Sequence, residues 1–422
     1  MKRLGVGFVG SGFMTQFHVR SFEAVRNADI TAIYSRNAGT ARQTADLCKK
    51  LDVGEPSTYS DLAEMVRDPK VEAIWVAAPN HHRVEMIECI VEEVVSGRAG
   101  LTGIAVEKPL ARNVKEARQV ASMIKSAGLL HGYLENQVYC PAITRSMDIL
   151  WQRGASLSGS PYLARCAEEH SGPHRPWFWN GAEQGGGVLN DMMCHSIEAG
   201  RFMLTRPGEP DWLTPKAVTA RIASLKWTRP EYAGELRSSS HGEVDYDRSP
   251  AEDYATAQIT YETKEGDLVI AEATTSWSFV GAGLRHSFEV LGPEYSMMAN
   301  TLDTEAKIFL SRRLQGEEGE DLIEKQNAEQ GLMPVMSDEP TSYGYVHENR
   351  HMVRAFLDGR PPSEGLDDGL LVTELLMSCY MSAQLGKTLQ FPIDGIENFI
   401  PEVAKGTWNQ RKLVDSAWNP NE

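Results

Sequence analysis

The first part of the chain alternates between short apolar runs and longer stretches with helical spacing. Five apolar runs predict buried strands: 4–9, 30–34, 71–78, 103–106 and 129–134. Stretches in which apolar residues recur every three or four positions predict helices between them: 13–24, 84–95 and 113–127. Strands that alternate with helices predict an α/β fold with a doubly wound parallel sheet. In that architecture, ligands bind beyond the carboxyl ends of the strands.

After about residue 135 the pattern changes to strands in which apolar and polar residues alternate, as in an antiparallel sheet with one covered face. Strands are predicted at 162–168, 217–227, 255–261, 268–278 and 285–291, and helices at 142–151, 189–204, 348–357 and 369–385. The change predicts a nucleotide-binding domain at 1–135 and a second, α+β domain at 136–422. Within the second domain, the polar segment 229–252 predicts a long loop or insertion, and 312–342 predicts an acidic loop with some helix.

Composition and charge narrow the class of protein. The 422 residues include 58 acidic and 42 basic side chains, a net charge of −16, which argues against a nucleic-acid partner or an anionic membrane surface. No apolar run approaches the length of a membrane span. The six cysteines form no CxxC pair, which is typical of free thiols in a reducing compartment and predicts a cytoplasmic protein.

A glycine turn follows the first predicted strand. Gly10 and Gly12 precede Phe13 and Met14, which open the next predicted helix. Glycines at this point let the backbone approach the pyrophosphate of a dinucleotide, which lies on the helix N-terminus. Thr15 replaces the third glycine of the usual pattern, so a glycine turn without a nucleotide stays open as the alternative.

The end of the second strand bears on the cofactor. An NAD site usually carries an acidic residue here, but this chain has Ser35 and Arg36. A serine and an arginine suit a 2′-phosphate, so the sequence favours NADP(H) over NAD(H), and NAD(H) stays open. The alternative is that Arg36 is a solvated loop cation.

Two further motifs follow predicted strands. Pro79, Asn80 and His82 come after the strand at 71–78, and Glu107 and Lys108 come after the strand at 103–106. Since carboxyl ends of parallel strands share one edge of the sheet, both motifs are predicted to border the cofactor crevice. The ammonium group of Lys108 either points into that crevice or caps a surface loop.

A run of three glycines, 185–187, leads into a predicted helix that carries Asp191 and His195. At a spacing of four, these two side chains lie on one helix face. An imidazole beside a carboxylate suits proton transfer near neutral pH, although such a pair is also common as a purely structural contact. Cys194 beside His195 is weak evidence for zinc, and no metal is predicted.

The segment 170–179, HSGPHRPWFW, is the candidate substrate wall. Trp177 and Trp179 offer aromatic faces to a sugar, and His174 offers a hydrogen-bonding ring. The alternative is that both tryptophans belong to the core.

Taken in order, these motifs resemble the Gfo/Idh/MocA family of oxidoreductases. The matching stretches are GSGFM with His18, PNHH, EKPL, and GGG followed by Asp191 and His195. The resemblance implies an N-terminal Rossmann domain and a C-terminal α+β domain with a large, mostly antiparallel open sheet that forms homodimers or homotetramers. It also implies hydride transfer between a sugar, glycoside or cyclitol carbon and nicotinamide, with Lys108, Asp191 and His195 as catalytic and substrate-binding residues. Met193 and Glu198 depart from residues common in the family.

Two alternative functions stay open on the same scaffold. One is a glycosidase that oxidises a sugar transiently, eliminates the aglycone and returns the hydride. The other is a non-catalytic regulator that senses a sugar. Retention of Lys108, Asp191 and His195 argues against the regulator, because a sensor needs no proton chemistry.

Overall fold

The computed structural model describes residues 2–281, 283–304, 306–310, 331–336 and 338–409. The chain divides into two compact units, Met1–Cys140 with Pro340–Thr373 and Pro141–Glu339 with Glu374–Glu422. The domain boundary that the sequence predicts, at residue 135, differs from this division mainly because residues Pro340–Thr373 return to the first unit.

The elements of the first 140 residues alternate as the apolar pattern predicts. They are β1 (Leu4–Val9), α1 (Phe13–Ser21), β2 (Ala28–Tyr34), α2 (Ala38–Lys50), β3 (Ser57–Tyr59), α3 (Leu62–Arg67), β4 (Ala73–Val76), α4 (Asn80–Val95), β5 (Gly103–Glu107), α5 (Val114–Ser126) and β6 (Leu130–Leu134). Short 3₁₀ turns span Phe22–Ala24 and Asn136–Tyr139.

The remaining elements mix short helices with longer strands. They are α6 (Pro141–Ile149), which continues as a π-helix (Leu150–Ala155), α7 (Ser156–Ser158), β7 (Leu163–Glu169), α8 (Pro176–Trp179), α9 (Gly181–Gln184), α10 (Val188–Leu204), β8 (Leu213–Ala223), α11 (Pro230–Ser239), β9 (Tyr254–Thr263), β10 (Leu268–Ser276), β11 (Arg285–Gly292), β12 (Tyr295–Asn300), β13 (Ala306–Leu310), β14 (Gly331–Val335), α12 (Glu339–Ser342), α13 (Tyr345–Leu357), α14 (Leu366–Leu385), β15 (Leu389–Gln390) and a 3₁₀ turn (Ile396–Asn398).

The first unit contains a six-stranded parallel sheet in the order β3-β2-β1-β4-β5-β6. This is the strand order of a Rossmann domain. Strands β1, β4 and β5 are buried along their whole length, because helices cover both faces of the sheet. The predicted doubly wound α/β fold is confirmed.

The second unit contains a mixed sheet in the order β12-β11-β7-β10-β9-β8-β15. Only the β7–β10 pair is parallel among the described strand pairs of this sheet. Helix α10 packs on its inner face, where a Cβ on Gly200 would lie 3.3 Å from the Cβ of Ala271. A small residue there lets the helix approach the sheet closely. The predicted, mostly antiparallel sheet is confirmed.

The polar segment 229–252 is not simply a loop, because it contains helix α11. Pro230 occupies the first turn and Glu231 lies beside it, both favourable at a helix N-terminus. Only Ala233 and Leu236 are buried, so the apolar stripe was too short for the sequence pattern to show a helix. Of the predicted acidic loop at 312–342, residues 312–330 lie outside the described residues, and Gly331–Val335 forms β14.

The described helices include none with the length and apolar character that crossing a membrane requires.

Candidate active site

The glycine turn after β1 leaves room for a ligand to approach the protein backbone closely. Gly10 has a φ of 114°, and a Cβ there would lie 2.8 Å from the carbonyl oxygen of Ala77. Gly12 is the N-cap of α1 and has no side-chain cap, and a Cβ on it would meet nothing within 4 Å. Phe13 and Met14 form the first turn of α1. Open space above an uncapped helix N-terminus fits the pyrophosphate of a dinucleotide.

Hydroxyl groups connect this turn to the end of β2. The Oγ of Ser11 lies 2.8 Å from the Oγ of Ser35 and 2.6 Å from the Oγ1 of Thr40. Ser35 also accepts a hydrogen bond from the backbone N–H of Asn37, the N-cap of α2. Arg36 is exposed beside this cluster. The arrangement brings hydroxyls, an exposed cation and a helix N-terminus together at the end of β2.

The loops after β4 and β5 are tied together by one buried arginine. Arg83, in the first turns of α4, donates hydrogen bonds to the carbonyl oxygens of Ala78 and Pro109. Pro79 and Asn80 open α4, and the ring centroids of His81 and His82 lie 4.0 Å apart. Both predicted motifs therefore lie at the carboxyl edge of the parallel sheet, as the sequence predicts.

Lys108 stands at the end of a hydrogen-bond chain through the first unit. The indole N–H of Trp75 donates to the Oδ1 of Asn349 (2.8 Å), and the Nδ2 of Asn349 lies 2.9 Å from the Nδ1 of His18. The Nε2 of His18 lies 2.7 Å from one oxygen of Glu107, whose other oxygen accepts from the backbone N–H of Lys108 at 2.9 Å. The chain fixes the backbone that carries the Lys108 side chain.

The carboxylate in that chain stays ionised although it is buried. Burial alone would raise the pKa of Glu107, but the hydrogen bond from His18 and the nearby charges of Lys108 and Arg83 hold the pKa below its usual value. Glu107 therefore presents a negative charge directly beneath the Lys108 backbone.

In the second unit, the glycine run before α10 is required by two bulky neighbours. A Cβ on Gly186 would lie 1.9 Å from the hydroxyl oxygen of Tyr380. A Cβ on Gly187 would lie 2.5 Å from the carbonyl oxygen of Glu252 and 2.7 Å from its carboxylate carbon. Any larger residue would push the helix away from these groups.

Those two neighbours cap α10. One carboxylate oxygen of Glu252 accepts from the backbone N–H groups of Gly187 (3.0 Å) and Leu189 (3.1 Å). The hydroxyl of Tyr380 donates to the same oxygen (2.6 Å) and accepts from the N–H of Asn190 (3.2 Å). The first N–H groups of the helix, which have no partner within a helix, are thus satisfied from outside it.

The cap contains a weakly acidic carboxyl group. Burial raises the pKa of Glu252 to about 7, although hydrogen bonds from Tyr380 and from backbone N–H groups oppose this. Its second carboxylate oxygen has no hydrogen-bond partner among the described residues. Glu252 can therefore carry a proton near neutral pH.

Asp191 and His195 lie in the first two turns of α10, and both are buried. Between them, the thiol of Cys194 contacts the carbonyl oxygen of Asp191 at 3.3 Å, an ordinary contact within a helix. Lys108 belongs to the first compact unit, whereas Asp191 and His195 belong to the second.

Glu168 is a buried acidic residue that the sequence reasoning missed. One of its oxygens lies 3.8 Å from the Nε2 of His195, and the other lies 3.8 Å from the Nε2 of His286. The sequence does contain a sign that Glu168 is buried, because the period-two pattern of β7 puts it on the inner face with Ala164 and Cys166.

The candidate substrate wall divides into exposed and packed residues. His174 is exposed, and Trp177 is half-buried, with its ring stacked on Phe178 at 3.8 Å. Trp179 is buried against Trp227, Tyr246 and Trp277, and its indole N–H donates to the carbonyl oxygen of Pro173. The structure therefore gives Trp179 a packing role.

Comparison with known proteins identifies relatives over most of the chain. Residues 4–133 match the family model "Oxidoreductase family, NAD-binding Rossmann fold", and residues 155–297 match the Gfo/Idh/MocA C-terminal domain. Levoglucosan dehydrogenase from Pseudarthrobacter phenanthrenivorans is 25% identical over 48% of this chain and 52% of its own length. An alpha-N-acetylgalactosaminidase from Tannerella forsythia is 25% identical over 40% of this chain and 35% of its own length.

Among solved structures, GenD2 from gentamicin A biosynthesis, in complex with NAD, superposes with a TM-score of 0.73. It is 27% identical, and the match covers 93% of this chain and 97% of GenD2. The curated relatives above are matched over about half of their length or less, whereas this structural match spans both units.

Proposed function

This chain belongs to the Gfo/Idh/MocA family of oxidoreductases, and on that basis we propose that it transfers hydride between a carbinol carbon of a sugar, glycoside or cyclitol and a nicotinamide dinucleotide. The observation that carries the proposal is the buried pair Asp191 and His195 on a helix whose N-terminus is held by an external cap. Buried ionisable side chains are costly and concentrate at functional sites.

The bound dinucleotide would accept or donate the hydride at its nicotinamide ring. The backbone at Gly10 and Gly12 and the start of α1 would hold its pyrophosphate, with Phe13 and Met14 beside it. Pro79, Asn80, His82 and Glu107 border the same edge of the sheet and complete the cofactor site.

We assign the 2′ position of the ribose to the cluster after β2. Ser35 offers a hydroxyl, and the exposed Arg36 offers a cation next to the N-terminus of α2. The hydroxyl, the cation and the helix N-terminus would all stabilise a bound phosphate, so NADP(H) is the proposed cofactor. The NAD bound to GenD2 keeps NAD(H) as the alternative.

Three side chains carry the proposed proton chemistry. His195 accepts the proton of the substrate hydroxyl as the carbinol carbon gives up its hydride. The ammonium of Lys108 donates a hydrogen bond to the same oxygen and stabilises its developing negative charge. Asp191 orients His195 or binds a neighbouring hydroxyl. His174 and Trp177 contribute to the substrate wall, and Trp179 supports it from the aromatic cluster.

The test of this assignment is the Lys108→Ala variant. Loss of one donor to a developing oxyanion costs about 10²–10³ in kcat, so the variant is expected to be that much slower while its unfolding midpoint stays unchanged. Lys115→Ala, on the exposed face of α5, is the control. Full activity of Lys108→Ala on a substrate that the wild type oxidises would contradict the role.

Similarity to the alpha-N-acetylgalactosaminidase favours one second candidate, a glycosidase that oxidises its sugar only transiently. The same acid–base residues would serve it. The two functions differ in stoichiometry: a dehydrogenase consumes one cofactor per turnover, whereas the glycosidase releases an aglycone with no net change in cofactor.

We propose a homodimer or homotetramer in the cytoplasm, which sedimentation and fractionation would test. The cytoplasmic location is supported by the six cysteines, none of which forms a disulfide within the described part of the chain.

A further inference from the structure

Glu168 occupies a position where a strand normally places an apolar side chain. It lies on the inner face of β7, in line with the buried Ala164 and Cys166, and its side chain is only 8% exposed. Helix α10 packs on this face, since a Cβ on Gly200 would touch the side chains of both residues. A carboxylate that is buried beneath the helix of Asp191 and His195 calls for a partner of opposite charge.

Two imidazole rings flank this carboxylate, one for each oxygen. The Nε2 of His195, from α10, lies 3.8 Å from Oε2, and the Nε2 of His286, from β11, lies 3.8 Å from Oε1. His286 is the direct register partner of Glu168 in the antiparallel β7–β11 pair. Both side chains are buried, at 4% and 2% exposure, so solvent screens neither contact strongly.

On the other side of β7, strand β10 places no charged residue directly opposite Glu168. The register partner of Glu168 in β10 is Thr275, whose buried hydroxyl has no hydrogen-bond partner among the described residues. Other titratable groups that are buried on these packed elements include Cys166 and His170 on the β7 side, Tyr261 on β9, and Asp191, Cys194, Glu198 and Arg201 on α10. Arg201 and Glu198 are paired with each other, the Nε of Arg201 donating to Glu198 at 2.8 Å.

We propose that Glu168 is a positioning residue for His195 and the counter-ion of its imidazolium form, and that His286 shares the carboxylate. A negative charge at this distance favours the protonated ring. This inference rests on the proposed function only in giving His195 the task of accepting the substrate proton. In that step the proton would pass from the substrate hydroxyl to His195, the bound cofactor would take up the hydride, and Glu168 would act only as the counter-charge to the imidazolium.

One carboxylate offsets one positive charge, so the two rings compete for it. When His195 is protonated, a second proton on His286 would place two positive charges on the same carboxylate, and the two rings would repel each other. The geometry therefore predicts that His286 lowers the proton affinity of His195, whereas Glu168 raises it.

The test measures the titration midpoint of the His195 ring by NMR of the ¹⁵N-histidine-labelled protein, with its signal assigned by its loss in His195→Asn. In Glu168→Gln, which keeps the shape of the side chain, the midpoint is expected to fall by about one pH unit or more. The matched control is Glu169→Gln. Glu169 is the next residue, points to the outer face of β7 and pairs with Arg285. An equal midpoint in the two variants would overturn the proposal.

A second variant covers the case in which Glu168→Gln does not fold. His286→Asn removes the competing ring from the carboxylate, so the His195 midpoint is expected to rise, and an unchanged or lower midpoint would contradict the shared carboxylate. In the active enzyme, the acidic limb of kcat/KM should move in the same direction as the midpoint for each variant, as a purely structural role would not require. If the midpoints shift but no carbohydrate is oxidised, the proposed function fails and the assignment of Glu168 stands.

Discussion

At the scale of single residues, the direction of the hydrogen bonds beneath Lys108 follows from one tryptophan. The indole N–H of Trp75 can only donate, so the Asn349 oxygen must accept from it and the Asn349 nitrogen must face His18. Two donors cannot face each other, so the Nδ1 of His18 carries no proton and its Nε2–H donates to Glu107. One indole thus sets the tautomer of a histidine two steps away.

Arg36 gives the clearest test of cofactor choice. In Arg36→Ala, binding of NADPH is expected to weaken about 10–100-fold, since a charge-assisted hydrogen bond to a phosphate is lost, while NADH binding stays the same. Fluorescence titration of both cofactors measures this. Arg42→Ala, which changes an exposed arginine on the following helix α2, serves as the control. If the binding of NADPH and of NADH weakened equally, Arg36 would not contact the 2′-phosphate.

Glu252 predicts a pH dependence of stability with a definite sign. Its pKa in the folded protein, about 7, lies above the ordinary value of 4.5, so folding favours the protonated form. This contribution is fully present below pH 4.5 and is lost as the pH rises through 7, at no more than about 1.4 kcal/mol per pH unit. The difference in unfolding free energy between wild type and Glu252→Gln, measured by urea denaturation, should follow this curve. A difference that is constant across this range would contradict it.

The sequence supplied the residues whose spacing is local, and it missed those that depend on long-range pairing. Asp191 and His195 are four positions apart on one helix, so their shared face was predictable. Glu252 and Asn349 act across 63 and 331 residues, on Leu189 and His18 respectively. A single sequence does not show which residues pair over such distances, because any buried glutamate or asparagine could have formed the same contacts.

At the scale of elements, helix α10 depends on the fit of its glycine run against its cap. In Gly187→Ala, the new methyl group would overlap Glu252, so a loss of about 1–3 kcal/mol in unfolding free energy and a lower kcat are expected. Urea denaturation and steady-state assays measure both. Gly234→Ala is the matched control, because that helical glycine in α11 has nothing within 4 Å of an added Cβ. The control should be neutral or more stable by up to about 1 kcal/mol. A Gly187→Ala variant as stable as the control would contradict the tight fit.

The elements also show where hydrophobic pattern is a sufficient guide and where it fails. Strands β1, β4 and β5 are apolar throughout, and each was predicted to within a few residues. Helix α11 was missed because only two of its residues are buried, and α2 went unpredicted because polar residues outnumber its four buried positions. The hydrophobic pattern of a sequence reflects which residues are buried, so an element with few buried residues shows only a weak pattern.

At the scale of the whole molecule, the first unit is not a continuous piece of chain. Residues Pro340–Thr373 return to it, and helix α13 brings Asn349 and Phe356 into its interior. The ring of Phe356 lies so close to β5 that a Cβ on Gly103 would approach it to 2.9 Å. The sequence boundary at 135 could not include this return, because α13 has the same pattern as any amphipathic helix.

The Asn349→Ala variant tests how strongly the stability of the first unit depends on the returning segment Pro340–Thr373. Asn349→Ala leaves the Trp75 indole without its acceptor and removes the contact to His18, each at a cost of about 1–3 kcal/mol. A lower thermal midpoint and faster proteolysis of the first unit are expected. Arg354→Ala, exposed on the same helix, is the control. Equal midpoints for the two variants would show that the return is not needed for the stability of the first unit.

Hydride transfer to a bound nicotinamide is tested most directly by following an isotope from the substrate to the cofactor. A panel of sugars, glycosides and cyclitols with deuterium at each carbinol carbon is incubated with the wild-type protein and NADP⁺ or NAD⁺, and the cofactor is analysed by mass spectrometry. One member should deliver its deuterium to the cofactor, and Lys108→Ala should do so about 10²–10³ times more slowly. Deuterium that stays with the sugar while an aglycone is released would indicate the glycosidase. Binding of cofactor and carbohydrate without any transfer of the label would contradict the proposed function.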